Sequence, residues 1–128
     1  MSRLRNRVFL IGHVGQDPEI FTFASGDKKA TIRLATNRSS KDAKGELVEE
    51  TDWHTVVVYG KLTEVVENYI HKGKQIGVEG RISYRTYNAS DGSKRYFTEI
   101  VCDILELLGG GHGSLKHTME ERFDTSSG

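Results

Sequence analysis

The sequence predicts an all-β domain in which five strands form a small closed or nearly closed barrel, with one α-helix between strands 3 and 4. Three observations support this fold class. Runs rich in β-branched and aromatic residues alternate with period two along most of residues 1–108. A single stretch, residues 62–70, instead spaces its apolar residues as one stripe of a helix. Glycine-containing turns separate these runs, and no internal repeat is visible.

The first two strands are predicted at residues 8–15 and 29–36. Two glycines in the first strand indicate a bend or bulge, which a small barrel requires. An Asp-Pro-Glu turn ends the pairing of that strand, and residues 20–23 are expected to form a short extension. Residues 37–50 are polar and charged, which predicts a mobile loop or a loosely held hairpin tip before the third strand.

The third strand is predicted at residues 51–60 and leads into the helix at residues 62–70. A hairpin with an Asp-Gly turn then joins a fourth strand, residues 75–87, to a fifth strand, residues 94–108. The two periodicities group the apolar residues on shared faces: Leu62, Val65, Val66, Tyr69 and Ile70 on the buried stripe of the helix, Ile76, Val78, Ile82 and Tyr84 on one face of the fourth strand, and Tyr96, Ile100, Cys102 and Ile104 on the core face of the fifth.

The chain is expected to hold one domain, residues 1–108, followed by a flexible tail at residues 109–128. Three consecutive glycines break the last strand at this boundary. Beyond them the residues are mostly small, polar or charged, and such a composition does not bury enough apolar surface to fold alone.

Composition excludes several classes of protein. The 128 residues include 18 Lys and Arg against 18 Asp and Glu, so any contact with a polyanion requires cations gathered on one face. The single cysteine, Cys102, excludes an intramolecular disulfide framework and is expected to be a small buried hydrophobe. The chain has no long apolar stretch of the kind that spans a membrane or forms a signal peptide, which predicts an intracellular, reducing compartment.

Motifs for catalysis or cofactor binding are missing from the sequence. None of the five histidines has metal-ligand spacing with Cys102, and no P-loop or H-E-x-x-H motif is present. The adjacent carboxylates Glu49 and Glu50 lie in the polar segment, where solvated charge is the ordinary explanation. We therefore expect no enzyme, no metal and no cofactor.

The feature that points to function is a set of aromatic rings interleaved with cations. Trp53 and Tyr59 share one face of the third strand by alternation, and Arg81, Arg85 and Tyr87 share one face of the fourth. Rings can stack on unpaired bases whatever the base, while cations meet phosphates. If both faces are the same outer face of the barrel, the sequence predicts a platform for a single nucleic-acid strand.

Each of these residues also has an ordinary structural interpretation. A lone Trp is more often part of the core, and two arginines on a strand are more often a solvated face. Phe97 fits an interface or an extension of the ring surface equally well. The combination is more specific than any single member, and this favours the nucleic-acid interpretation.

An ordered series of short blocks gives the chain a family resemblance. From residue 1 to about residue 108 the chain resembles the bacterial single-stranded DNA-binding protein family. The strongest block is residues 51–54 (TDWH) with residues 56–62 (VVVYGKL). The other matching blocks are residues 6–8 (NRV), 10–12 (LIG), 15–19 (GQDPE), 34–36 (LAT), 69–73 (YIHKG), 78–82 (VEGRI) and 95–100 (RYFTEI).

The resemblance implies an oligonucleotide/oligosaccharide-binding fold (OB-fold), assembled as a homotetramer that wraps single-stranded DNA, without catalysis or cofactor. By position, Trp53, Tyr59 and Tyr87 match the base-stacking aromatics of the family. Lys61 and Lys72 match positions that supply phosphate contacts. Arg85 lies in the basic stretch before the last ring. Arg81, which shares the strand face of Arg85 by alternation, completes the predicted DNA-binding set.

Two departures from the family pattern carry expectations of their own. Many members have a further stacking Trp in the loop after Leu-Ala-Thr, where this chain has Ser40; this predicts weaker binding or a smaller footprint. Members also end in a short acidic tip near Pro-Phe that recruits replication and repair proteins. This sequence has no such tip, so it is expected to be either truncated or a specialised paralogue.

We therefore expect sequence-independent binding and protection of single-stranded DNA during replication, recombination and repair, in the bacterial cytoplasm at the nucleoid. The alternative is an OB-fold adaptor of the replication-restart type that acts mainly through protein–protein contacts. An RNA chaperone with the same surface is a third possibility that the residues alone do not separate.

Overall fold

The computed structural model describes residues 5–109 and 115–118. Within these ranges the chain forms seven strands and one helix. In chain order they are β1 (Val8–Val14), β2 (Glu19–Thr22), β3 (Lys28–Lys41), β4 (Leu47–Tyr59), α1 (Leu62–Tyr69), β5 (Gln75–Asn88), β6 (Lys94–Leu107) and β7 (Leu115–Thr118).

Five of the strands close into a barrel, in the order β1, β5, β6, β4, β3 and back to β1. The β4–β6 pairing is parallel, and the other four are antiparallel. Closure depends on β1, which pairs with β5 along most of its length and with β3 at His13 and Val14. Because α1 joins β4 to β5, it lies between the third and fourth barrel strands, and the predicted fold class is confirmed.

The barrel encloses one apolar core, built from the inward residues of each strand. Val56 and Val58 of β4 are fully buried there with Ile32 and Leu34 of β3. The helix covers this core with Leu62 and Val66, which are one turn apart, and Ile70, directly after the helix, packs against it as well. The sequence pattern predicts Tyr69 in the same buried stripe, but it is 53% exposed. That prediction is wrong because the helix meets the barrel along a narrower stripe than the pattern indicates.

The long β5–β6 hairpin departs from strict alternation at a bulge. Glu79 pairs with Ile104 and Gly80 with Cys102, which leaves one extra residue in β6. After the bulge, Leu105 is fully buried and Ile104 is only half-buried, so the predicted core position of Ile104 is wrong. Gly80 is required at this point because a Cβ atom there would collide with the carbonyl group of Val101.

The outer half of the same hairpin extends beyond the barrel. The pairing of β1 with β5 stops at Gly80, whereas β5 and β6 remain paired to Asn88 and Lys94. Tyr84 and Tyr96 lie on this extension and are 75% and 76% exposed. The expected core position of Tyr96 is therefore wrong. Tyr84 is also solvent-exposed, although by alternation it lies on the same side of β5 as the buried Ile76 and Val78.

Residues 37–50, predicted as a mobile loop or a loosely held hairpin tip, form the outer half of a second long hairpin. The β3–β4 pairing continues without interruption to Lys41 and Leu47. Arg38 holds it across the strands through ion pairs with Glu50 (2.5 Å) and Asp52 (3.0 Å). The charged residues that suggested a loop are thus cross-strand partners, and neither face of the hairpin needs apolar alternation because both are exposed.

The described part of the predicted tail includes a short strand. β7 pairs antiparallel with β6, with Leu107 opposite Leu115. The free edge of β6 offers these four residues backbone hydrogen bonds, and the flexibility expected of the tail stays a prediction. Residues 110–114 and 119–128 lie outside the described residues, and there the expectation stays a prediction. In the described ranges no helix has the length and apolar character needed to span a membrane.

Candidate nucleic-acid interface

The predicted rings and arginines lie on the outer side of the sheet formed by β3, β4, β6 and β5. We call this surface the ring face. Its outward side chains include Arg33, Trp53, Tyr59, Arg81, Arg85, Tyr87 and Phe97.

The strand register shows that both halves of the ring face belong to one surface. Val56 and Ile100 pair with each other and point into the core. Their neighbours Val57 and Val101 also pair, and they point to the opposite side because strand side chains alternate. Val101 pairs in turn with Arg81 of β5, so one row of residues joins β4 to β5 across the ring face.

The three predicted stacking rings are open to solvent on this surface. Trp53 and Tyr59 lie four residues before and two residues after Val57, and Tyr87 lies six residues after Arg81; each pair therefore shares a face. Trp53 is 53% exposed, Tyr59 37% and Tyr87 49%. The rings are neither sealed in the core nor fully solvated, so each presents a surface on which another flat ring can lie.

Trp53 is held by two neighbours. Gly15, just after β1, leaves the space that the indole ring occupies, since a Cβ atom at this position would overlap the ring. On β3, the guanidinium group of Arg33 lies 5.7 Å from the ring centroid, and its Nη1 donates a hydrogen bond to Thr55 Oγ1 at 2.7 Å. A cation and a ring are thus fixed side by side on one face.

Tyr59 and two lysines lie around the helix. Tyr59 ends β4, and Lys61, two residues later, occupies the N-cap position of the helix. Lys72 lies three residues beyond the other end of the helix, whose eight residues span about 12 Å. Its backbone N–H donates to Asp17 Oδ1, and the following Gly73 donates to the carbonyl of Val14, which places Lys72 beside the end of β1. Both lysines are exposed.

A column of side chains stands on the β5–β6 extension. The rings of Tyr87 and Phe97 stack with centroids 5.4 Å apart and planes inclined by 24°. The guanidinium of Arg85 lies 5.7 Å from the centre of Phe97. Arg85 is anchored below by Glu99, with Nε donating to Oε1 at 3.0 Å and Nη2 to Oε2 at 3.2 Å. Glu99 is only 4% exposed, so this ion pair fixes the column to the sheet.

The two predicted arginines therefore differ in their surroundings. Arg85 already neutralises a buried carboxylate, whereas no salt bridge formed within residues 5–109 involves Arg81. The same absence holds, over those residues, for Lys61 and Lys72. Of the four predicted cations, Arg81 and the two lysines therefore have charge left to offer a phosphate.

Sequence analysis did not assign Arg33 to the site and left Phe97 open. The outward direction of Arg33 follows from alternation, but its position beside Trp53 depends on the β3–β4 register, which pairs Arg33 with Thr55. For Phe97 the decisive fact is its pairing with Arg85. Both assignments require knowledge of which residues face each other across strands.

Three other side chains, His54, Cys102 and Ser40, lie away from the ring face or carry no chemistry. His54 is half-buried on the opposite side of β4, where a ring nitrogen lies 2.9 Å from Thr36 Oγ1. Burial raises the pKa of the Cys102 thiol to about 12 and keeps it protonated. Ser40 is exposed on β3. Within the described residues, no three His, Cys, Asp or Glu side chains are grouped as a metal site.

A small closed barrel with half-exposed rings and cations on one open face defines a class: OB-fold modules that bind single-stranded nucleic acid. The model of the single-strand binding protein family matches residues 5–108. Single-stranded DNA-binding protein 1 of Chlorobaculum tepidum is 44% identical over 110 residues, which cover 85% of this chain and 68% of that protein. The chain belongs to the single-strand binding protein family.

Solved structures agree with this assignment. The Plasmodium falciparum SSB, in complex with ssDNA, superposes with a TM-score of 0.71 at 30% identity, over 93% of this chain and 98% of that one. A deletion mutant of the single-stranded DNA binding protein from Thermus aquaticus gives a TM-score of 0.74 at 30% identity, over 90% of this chain and 56% of that one. Family membership confirms the expectations of an OB-fold and of a protein that is not an enzyme.

Proposed function

We propose that the chain binds single-stranded DNA without sequence preference by laying bases on the rings of the ring face. The observation that carries the proposal is that three half-exposed rings share one surface with Arg81, which takes part in no salt bridge formed within residues 5–109. Stacking is worth about 1–3 kcal/mol per base and does not depend on which base is present. The residues assigned to this role are Trp53, Tyr59 and Tyr87 for bases and Lys61, Lys72, Arg81 and Arg85 for phosphates.

Preference for single strands follows from the geometry of stacking. In a duplex the base faces are covered by neighbouring bases, so rings on an open β-face cannot reach them. The phosphates add a salt-dependent term, because each cation that meets a phosphate releases a counterion. Since Arg85 is already paired with Glu99, it contributes less to this term than Arg81 does.

We infer the biological role from membership of the family. Occupied DNA is protected and prevented from re-annealing, which suits replication, recombination and repair at the bacterial nucleoid in the cytoplasm. No comparison favours the alternative of an adaptor that acts mainly through protein contacts.

Self-association into a homotetramer is part of the proposal. Support comes from β1, whose outward residues Phe9 and Ile11 are 68% and 64% exposed. Residues 8–12 of β1 pair with β5 alone among the described strands, so one edge of this segment is open. A light-scattering mass of four chains is expected, and the mass of a single chain would refute the tetramer.

Fluorescence tests DNA binding directly, because Trp53 is the only tryptophan in the chain. Oligo-dT is titrated into the protein at low and high salt, with a duplex of the same length as the control. We expect strong quenching by the single strand, little by the duplex, and weaker binding at high salt. No quenching and no binding by the single strand would refute the proposal.

A further inference from the structure

The ring face continues beyond Tyr59 onto β2. Phe21 of β2 pairs directly with Lys29 of β3, and Lys29 pairs with Tyr59 of β4. Paired residues point to the same side of a sheet, so these three side chains form one row across the ring face. Two strand spacings of about 4.8 Å separate the first from the last, so Phe21 lies roughly 10 Å from Tyr59.

Two further rings stand at the end of this row. Phe21 and Phe23 meet edge to face, with centroids 5.0 Å apart and planes inclined by 72°. Phe21 is 59% exposed and Phe23 39%. With Lys29 and Thr31 they line an open cavity of about 360 Å³, which is in the size range of small-ligand sites. In an edge-to-face pair Phe23 covers at most one face of the Phe21 ring, and Phe21 is 59% exposed.

The charges around this cavity suit a base with its phosphate on one side. Lys29 lies between Phe21 and Tyr59, and no salt bridge within residues 5–109 involves it. Glu19 lines the far side and would repel a phosphate there. A DNA backbone is therefore directed along the Lys29 side, with the base turned toward the rings.

We propose that Phe21, Phe23 and Lys29 form an additional DNA subsite, in which a base stacks on Phe21 after the strand has passed Tyr59. This inference rests on the proposed function and extends it: the strand runs along the row from β4 to β2. The subsite lengthens the footprint at the end opposite the Tyr87 column. It supplies a stacking ring in a chain that has Ser40 where many family members have a stacking tryptophan.

A length series of oligo-dT isolates the subsite. Site sizes of OB-folds span about 4–16 nucleotides, and the series covers this range for wild type and for Phe21→Ala. We expect equal affinities for the shortest oligomers that bind, because these fill the Trp53–Tyr59 region first. For longer oligomers the variant should bind about 5- to 150-fold more weakly, the equivalent of one stacked base.

A second variant places a reporter in the subsite. Phe21→Trp in a Trp53→Phe background retains a ring at both positions and moves the only fluorophore to β2. Its fluorescence should be quenched by long oligo-dT and not by the shortest oligomers that bind. Tyr84→Ala, which removes an exposed ring on the other face of β5, is the matched control and should bind all lengths as wild type does.

The outcomes separate the subsite from the proposed function. If wild type does not bind oligo-dT at all, the proposed function fails. If wild type binds but Phe21→Ala matches it at every length and Phe21→Trp is not quenched, the subsite is refuted. A change in light-scattering mass for Phe21→Ala, without a length-dependent loss of affinity, would assign the two rings to a contact between copies of the chain and likewise refute the subsite.

Discussion

Replacing Arg85 by alanine separates anchoring of the ring column from phosphate binding. The guanidinium makes two hydrogen bonds to a carboxylate that is 4% exposed, and it lies 5.7 Å from the centre of the Phe97 ring. Hydrogen bonds to charged groups contribute about 1.5–3 kcal/mol. Leaving Glu99 buried and unpaired adds a penalty. Because 53% of the Arg85 side chain is exposed, water compensates part of this loss, and we expect a destabilisation of about 2 kcal/mol.

Arg85→Ala is expected to lower the affinity for DNA without changing the salt dependence of binding. The slope of log K against log salt becomes shallower by about 0.7 for each phosphate of a single strand that a variant no longer neutralises. Arg85 is already neutralised by Glu99, so its removal should leave the slope nearly unchanged while lowering affinity through the loosened Tyr87–Phe97 stack. Arg81→Ala is the matched variant on the same strand and face. It should reduce the slope by about 0.7 with little change in stability.

Urea unfolding measures the stability of each variant. Oligo-dT titrations at several salt concentrations measure the slope of log K against log salt. Glu99→Gln serves as the control, since it removes the buried charge but keeps the shape. It should free Arg85 and steepen the salt dependence. If Arg85→Ala shifts the slope as much as Arg81→Ala and leaves stability unchanged, Arg85 acts mainly as a phosphate contact rather than as an anchor, and the anchoring argument is wrong.

Three further predictions concern single side chains. Gly15→Ala should displace the indole of Trp53 and weaken oligo-dT binding by about 1 kcal/mol or more with little change in Tm; unchanged affinity and fluorescence would contradict the close approach of Gly15 to the ring. Because burial raises the pKa of Cys102 to about 12, iodoacetamide at pH 8 should label it at least about 100-fold more slowly in the folded protein than in urea, and equal rates would contradict its burial. Gly80→Ala should destabilise the fold by about 2 kcal/mol or more, measured by urea unfolding, because its Cβ would meet the carbonyl of Val101; wild-type stability would refute this.

Alternation and helical spacing were sufficient to predict the barrel and its helix. The β4 strand illustrates why: Val56 and Val58 are buried while Trp53 and Tyr59 are exposed, as period-two side chains require. The outward direction of each predicted ring could be obtained in this way. That Tyr87 shares the surface of Trp53 could only be supposed, because the row through Val101 depends on which strands become neighbours.

The errors arose where local pattern and tertiary structure diverge. A single extra residue in β6 inverts which side chains face the core, so Leu105 is buried and Ile104 is not. Hairpins that extend past the barrel keep their alternation but have no core to face, which exposes Tyr96. The pairing of Arg85 with Glu99 lies beyond sequence analysis for the same reason: it depends on a cross-strand register fourteen residues apart in the chain.

One comparison tests the central claim most directly: the oligo-dT affinities of Tyr87→Ala and Tyr84→Ala. The two tyrosines lie three residues apart on β5, and they point to opposite faces of the sheet, 49% and 75% exposed. If bases stack on the ring face, Tyr87→Ala should lose about 1–3 kcal/mol of binding free energy and Tyr84→Ala essentially none. Equal affinities for the two variants would contradict the assignment of DNA to this surface.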